Sequence, residues 1–399
     1  MTLSVQAQGA TTTTTRRDFR RLIAQYKIVV LLVIIAIIWA FFGALTYDRS
    51  LGVSEFLTAR NFSNLLRQMA ITGMLASGMV FVIVAGEIDL SVGSLLGLLG
   101  GVAAVLDIWW GWPLYGTIAA VVLLGVAAGL LVGWLVAFVG IPSFIVTLGG
   151  MLAFRGAVLG ITQGITIAPV HAELKYIGQG YLSNSVGEVM GVVLFALLAI
   201  LAFRTRAGRV KHKLPISSMP VEIIRLVVIG AVIAGFVVTL NSYEGVPVPV
   251  LILLVILGVF TVIGDRTVFG RRIYAVGSNL EATRLSGVNV SLVKMMIWAL
   301  MGLMCAFAGL TTTARLAAGT PSAGTGAELD CIASCFIGGT SMRGGIGTVI
   351  GALVGALIMA SLDNGMSMLG IDTFWQQITK GIILVLAVWL DIVTSGSQR

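Results

Sequence analysis

The 399-residue chain is expected to fold as an all-α polytopic membrane protein, a bundle of about twelve transmembrane helices. Three observations predict this: 58% of residues are hydrophobic, only 11% are charged, and the mean hydropathy is +1.03. A soluble domain carries about 25% charge, and charge at bilayer depth is expensive. The apolar runs lack the period-2 alternation of a lipid-facing barrel, which leaves helices, whose backbone groups are satisfied internally. Cys305, Cys331 and Cys335 lie in apolar segments with no histidine near them, so neither a disulfide framework nor a zinc site is expected. His171 and His212 fall in separate loops, which leaves little for a histidine-based active site.

Taken in order, residues 1–27 are a polar tail with TTTTT at 11–15 and RRDFRR at 16–21. The tail lacks the basic start, short apolar core and small-residue cleavage site of a signal peptide, and is expected to be retained and disordered. From 28 to 393 the chain reads as one transmembrane domain. Its apolar runs fall at 28–46, 68–86, 91–107, 113–139, 142–162, 187–203, 222–240, 248–264, 292–312, 327–340, 345–362 and 374–392. Most approach the ~20 residues that a ~30 Å hydrocarbon layer requires. The run at 327–340 is short and carries Glu328 and Asp330, which leaves a buried half-helix open as an alternative to a full span. Residues 394–399 form a C-terminal tail.

Orientation follows from Lys and Arg in alternate connections. One side receives Arg16, Arg17, Arg20, Arg21 and Lys27, then Arg204, Arg206, Arg209, Lys211 and Lys213. The same side receives Arg266, Arg271, Arg272, Arg284, Lys294 and Arg343. The other holds Arg49, Arg60 and Arg67, and after them only Lys175 and Arg315; its loops carry Asp107, Glu173, Glu244, Asp363 and Asp372. Twelve crossings close this alternation with both termini cytoplasmic. The net charge of +8 is therefore mostly a topology signal, and no nucleic-acid partner is expected.

Small residues recur at i, i+4: Gly93, Gly97 and Gly101; Gly125, Gly129 and Gly133; Gly156 and Gly160; Gly347, Gly351 and Gly355. Such ladders let helices approach closely in lipid and indicate a compact bundle. Polar groups within the spans say more. In AGEIDLSVGS at 85–94 an apolar helix stops at Gly86, Glu87 and Asp89, and another begins at Ser91. Asp89 and Ser91 resemble a helix start whose oxygens accept free backbone N–H groups. Either the carboxylate caps a broken helix, or the break lines a polar pathway where irregular backbone is tolerated. A second E-x-D, Glu328 and Asp330, stands before the glycine cluster GGTSMRGG at 338–345, a hint of a pseudo-repeat too short to claim. No phosphate-loop, H-E-x-x-H, G-x-S-x-G or C-x-x-C motif is present, and Ser341, Arg343 and Asp363 form no catalytic set, so no catalytic residues are assigned.

The stretch FGRRIYAVGSNLEATRLSGVN at 269–289, within a basic connection at 265–291, is polar and glycine-punctuated. Arg271 to Ala275 read as a continuing or interfacial segment, and Gly277–Ser278–Asn279 as a turn and helix cap. Glu281 to Leu285 form a short helix ended by Gly287–Val288–Asn289. That helix either docks into a groove on a partner or lies on the membrane surface, held by Arg272 and Arg284 near headgroups.

The same loop resembles the coupling loop in permease subunits of bacterial sugar ABC importers of the ribose, xylose and galactose type. The resemblance continues through AGEIDLSVGS, IPSFIVTLGGMLAFRG at 141–156, AGTPSAGTGAELD at 318–330, GGTSMRGGIGTVIGA at 338–352 and MASLDNGMSMLGI at 359–371, and covers roughly residues 60 to 393. It implies the importer permease fold, with a ten-helix core in the bacterial inner membrane. It also implies a homodimer served by a cytoplasmic ABC ATPase, which binds the ATP, and by an extracytoplasmic sugar-binding protein. No cofactor is expected in this chain itself. Gly277, Asn279, Glu281, Ala282, Arg284, Leu285, Gly287 and Asn289 would then carry the ATPase contact. Glu87, Asp89, Ser91, Glu328, Asp330 and Asn364 are the candidate pathway residues. Extra length at 181–246, read as two inserted spans joined by RTRAGRVKHK at 204–213, resembles the xylose branch, as do ASLDNGMSM and TFWQQI at 373–378. Ribose, galactose, or ion-coupled transport through the intramembrane carboxylates are the alternatives, with a membrane enzyme or scaffold as a third class.

Overall fold

The computed structural model describes residues 27–49, 52–215 and 218–395. The expected tails at 1–27 and 394–399 lie outside them, apart from Lys27 and residues 394–395. The described chain forms fifteen helices and one short hairpin. In order these are α1 (Lys27–Leu45), the antiparallel pair β1 (Tyr47–Asp48) and β2 (Val53–Ser54), α2 (Ala59–Val84), α3 (Val92–Ala104), α4 (Leu114–Trp134), α5 (Ser143–Ile161), α6 (Ala172–Gln179) and α7 (Asn184–Lys211). After them come α8 (Met219–Asn241), α9 (Val248–Arg266), α10 (Val268–Ser278), α11 (Leu280–Leu285), α12 (Val290–Leu316), α13 (Ala327–Ile337), α14 (Val349–Met368) and α15 (Thr373–Ser395). Wider π turns extend α3 through Val105–Trp109 and α4 through Leu135–Val139.

Nine of the described helices are long and apolar enough to cross a membrane, and the apolar stretch Val29–Leu45 of α1 is a shorter candidate. The long α15 also coincides with an apolar run, but α13 has only 11 residues. About twelve full spans thus becomes eleven long helices and one half-length helix. The irregular segment before the half-helix begins with Gly319 beside Ala104, and the half-helix is followed by Gly338 beside Gly351. Together they run the length of the bundle, so the direction of the chain beyond them is preserved.

Burial separates core from periphery. In α2 the most apolar stretch is 78% buried within the chain, whereas in α7 and in α8 it is 6%. The core is centred on α2, α3 and α12, where Trp298 is 1% exposed and Phe81 stacks on Phe260 at 5.4 Å between centroids. The predicted glycine ladders divide in two. A Cβ on Gly125 would stand 2.6 Å from the Gly302 carbonyl oxygen, and one on Gly133 would stand 3.0 Å from the Met295 Cα, so α4 and α12 meet backbone to backbone. Gly156 and Gly160, by contrast, face open space in this chain. Several hydroxyls inside the bundle are satisfied locally: Ser77, Thr147 and Thr162 donate to the carbonyls four residues earlier, which suits a medium without water.

Two clusters of contacts define the ends of the bundle. At one end Gly345 N–H donates to Val84 O (2.8 Å), Tyr274 Oη to Gly347 O (2.8 Å), and Lys294 pairs with Glu87. This end carries α10 and α11. At the other, Asp107 Oδ2 accepts from His171 N–H (2.8 Å), Gln179 donates to Arg315 O (2.8 Å), and Asn61 and Asn364 exchange amide hydrogen bonds. Asp107 and Asp363, expected in loops at this end, instead lie within helical segments, in the π turn after α3 and in α14.

Candidate functional site

Two sites emerge, one on the surface and one at bilayer depth. On the surface, the connection at 265–291 is helical rather than a loop. Thr267 caps α10, its Oγ1 accepting from Gly270 N–H at 3.0 Å. A Cβ on Gly270 would come 2.7 Å from the Gly264 carbonyl carbon, so α10 folds tightly back on α9. The expected turn at Gly277–Ser278 is absent because α10 continues through both residues. Gly277 is needed for proximity instead: a Cβ there would overlap the Val84 carbonyl oxygen and stand 2.7 Å from Gly345 N. Burial, with Asp265 nearby, pushes the Tyr274 phenol above its ordinary range.

Asn279 begins α11, its Oδ1 accepting from Ala282 N–H at 2.9 Å, and Thr283 Oγ1 donates to Asn279 O at 2.7 Å. Gly287 closes the turn at φ +84°, where a side chain is strained. Asn289 caps α12 by accepting from Leu292 N–H at 3.0 Å. Glu281, Ala282, Arg284, Leu285, Gly287 and Asn289 are exposed, and Leu285 is 86% so. The result is a rigidly capped helix presenting an apolar tip between charges. Asn279→Ala is expected to cost about 1 kcal/mol of local stability and to speed amide exchange at Ala282 about fivefold. Unchanged exchange there would show that the cap does not hold α11.

At bilayer depth the structure brings most of the predicted polar residues together. Asp89 Oδ1 accepts from Ser91 N–H (2.7 Å) and from Ser91 Oγ (2.6 Å), so the carboxylate holds the entry to α3. Ser91 itself makes no side-chain cap, and α3 starts at Val92. Beyond α12 the chain turns inward. Residues 319–326 run irregularly along α3, placing Ala323 O 2.6 Å from where a Gly97 Cβ would be. Gly324 and Gly326 adopt φ of +72° and +80° before α13 begins. Glu328 Oε2 lies against Gly93, so the two E-x-D segments converge two residues from Ser91. Only a glycine leaves the necessary room at Gly93.

Charged residues not singled out from the sequence complete this site. Arg155 of α5 donates through one Nη1 to Pro321 O (2.6 Å) and Ala323 O (2.9 Å), tying down the irregular segment. Lys380 of α15 pairs with Asp330 of α13 (2.9 Å) and Asp363 of α14 (2.8 Å). Both Asp330 Oδ1 and Asp363 Oδ1 are buried with no partner. The signal for Arg155 and Lys380 was present: Arg155 is the one charge in the run at 142–162 and Lys380 shares 374–392 only with Asp391, and lipid tolerates such a charge only against a partner. Two candidates stand apart from the cluster. Glu87 pairs with Lys294 at the end carrying α10 and α11, and Asn364 pairs with Asn61 toward the opposite end. Carboxylate, hydroxyl, guanidinium and backbone carbonyl groups thus meet around the irregular segment before α13, where Ser91 satisfies Asp89 and Arg155 satisfies the carbonyls of Pro321 and Ala323.

Residues 61–388 match the family described as branched-chain amino acid transport system / permease component. The chain belongs to this permease family. The permease is 49% identical over 375 residues to the xylose transport system permease protein of Haemophilus influenzae, covering 94% of its own length and 97% of that protein. It is 54% identical over 343 residues to the corresponding Escherichia coli K12 protein, covering 85% and 86%. Against the ribose import permease protein of Escherichia coli K12 the identity is 35% over 378 residues, covering 94% and 96%. No solved structure matches the permease.

Proposed function

We propose that the permease is the membrane-spanning subunit of an ATP-binding-cassette importer that carries D-xylose across a bacterial cytoplasmic membrane. The observation that carries this reading is the gap in identity, 49–54% to xylose permeases against 35% to a ribose permease, over most of the chain in each case. In this reading the end bearing α10, α11 and the basic connections faces the cytoplasm, as do both termini. The capped α11, with Glu281, Arg284 and Leu285 outward, docks on a separate ATPase subunit that binds the ATP. A second copy of the chain and an extracytoplasmic sugar-binding protein complete the importer. The sugar passes the polar cluster at Asp89, Ser91, Glu328 and Asp330, while the buried Asn61–Asn364 pair clamps α2 to α14.

Reconstitution with the neighbouring ATPase and binding protein, followed by uptake of labelled pentoses, tests this. Xylose uptake is expected to require ATP, to exceed ribose uptake, and to survive a proton uncoupler. Glu281→Arg is expected to reduce it at least about tenfold, since reversing a charge at a docking face costs about 1.4 kcal/mol or more. Uptake that persists without the ATPase and collapses with the uncoupler would instead mean ion coupling through the intramembrane carboxylates.

A further inference from the structure

The α7–α8 hairpin stands at the edge of the bundle with nearly all of its apolar surface outward. Between the two helices, toward the connection at 212–218, lies a crevice of about 320 Å³. Its wall changes character along the helices. Leu201 and Ile229 line the part nearer the middle of the spans, and Arg206, Arg209 and Arg225 line the part nearer the connection, with Glu222 the opposing carboxylate. Arg209 and Arg225 make the mouth cationic, and Arg204, Lys211 and Lys213 sit at the same end. None of these residues belongs to the polar cluster or the docking helix.

We propose that this crevice binds an anionic phospholipid, with the headgroup phosphate on Arg209 and Arg225 and an acyl chain along Leu201 and Ile229. The two exposed arginines suit phosphate oxygens because a guanidinium pairs with them bidentately and is weakly hydrated. A basic pocket between membrane helices at headgroup level is the usual form of such a site. A free phosphate ester would use the cationic half and leave the apolar half uncovered. A zwitterionic lipid would cover the apolar half but bring its own cation to the arginines. An anionic amphiphile matches both halves.

The test uses the full-length chain in a neutral detergent. It is titrated with phosphatidylglycerol, with phosphatidylcholine of the same chain length, and with inorganic phosphate, and bound lipid is counted by native mass spectrometry. Phosphatidylglycerol is expected to bind in preference to phosphatidylcholine and to resist displacement by an equal concentration of phosphate. The double variant Arg209→Gln/Arg225→Gln is expected to weaken phosphatidylglycerol binding about thirtyfold, roughly fivefold per arginine, while Arg209→Lys/Arg225→Lys, which keeps the charge and loses the bidentate pairing, falls between that variant and the unaltered chain. Equal binding of the two lipids, or unchanged phosphatidylglycerol binding in the glutamine variant, overturns the proposal. Displacement by inorganic phosphate also overturns it, because the crevice would then be an anion site. Should the glutamine variant fail to fold, the three probes on the unaltered chain decide the matter.

Discussion

Lys380→Met is expected to destabilise the folded protein by about 3–5 kcal/mol, the usual cost of removing one partner from a buried ion pair. Lys380 stands between Asp330 at 2.9 Å and Asp363 at 2.8 Å, and all three side chains are less than a quarter exposed. Each aspartate already has one unpartnered buried oxygen, so losing the ammonium leaves two carboxylates close together with no counter-charge in a medium that solvates neither. Because the three residues lie on α13, α14 and α15, the damage falls on the half-helix, which is too short to be held by lipid contact alone. A lowered thermal unfolding midpoint in detergent, with early aggregation, is the expected readout. Neutralising the aspartates as well, in Lys380→Met/Asp330→Asn/Asp363→Asn, is expected to restore much of the loss. An unchanged midpoint in Lys380→Met would show that water reaches the triad and that it contributes little.

Gly277→Val is expected to leave the bundle folded but to cut ATP-dependent xylose uptake about fivefold to 150-fold, the equivalent of the roughly 1–3 kcal/mol that overpacking costs. The added side chain would meet the Val84 carbonyl and Gly345 N, both backbone groups that cannot swing aside. These belong to the two irregular junctions on which α10 rests: Val84 ends α2 just before Glu87 and Asp89, and Gly345 precedes α14. Lifting α10 therefore moves α11 relative to the segments that lead into the polar cluster. Gly235→Val supplies the control, since a Cβ at that helical glycine meets nothing. Equal loss in both variants would mean that helix propensity, not this contact, decides the outcome.

The helices were legible because lipid imposes a simple rule. Runs of apolar residues must be helical and about 20 long, and the boundaries at 113–139, 142–162 and 248–264 fall within two residues of α4 with its π turn, α5 and α9. The cap at Asn279 was also readable, because a short polar side chain before a helix has a local purpose, whereas Asn289, read as part of the stop after α11, caps α12 instead. Gly277 misled for an equally physical reason. A glycine beside serine and asparagine has turn chemistry in sequence, and only the nearness of Val84, far away along the chain, shows that it is there for its missing Cβ. The ladders at Gly125 and Gly156 read alike, yet one is pressed against α12 and the other faces outward.

What the sequence determined by itself was thus the membrane class, the places of the long helices, the side-to-side charge asymmetry and the positions where polar groups interrupt lipid-compatible segments. These depend on local composition and on the dielectric contrast between water and hydrocarbon. Tertiary structure alone decided which interruptions meet. It set Glu328 against Gly93, Arg155 against the carbonyls of Pro321 and Ala323, and Lys380 between Asp330 and Asp363, while it sent Asn364 to Asn61. A buried charge announces that it needs a partner, but the partner is fixed by how helices pack, and packing is a property of the whole bundle.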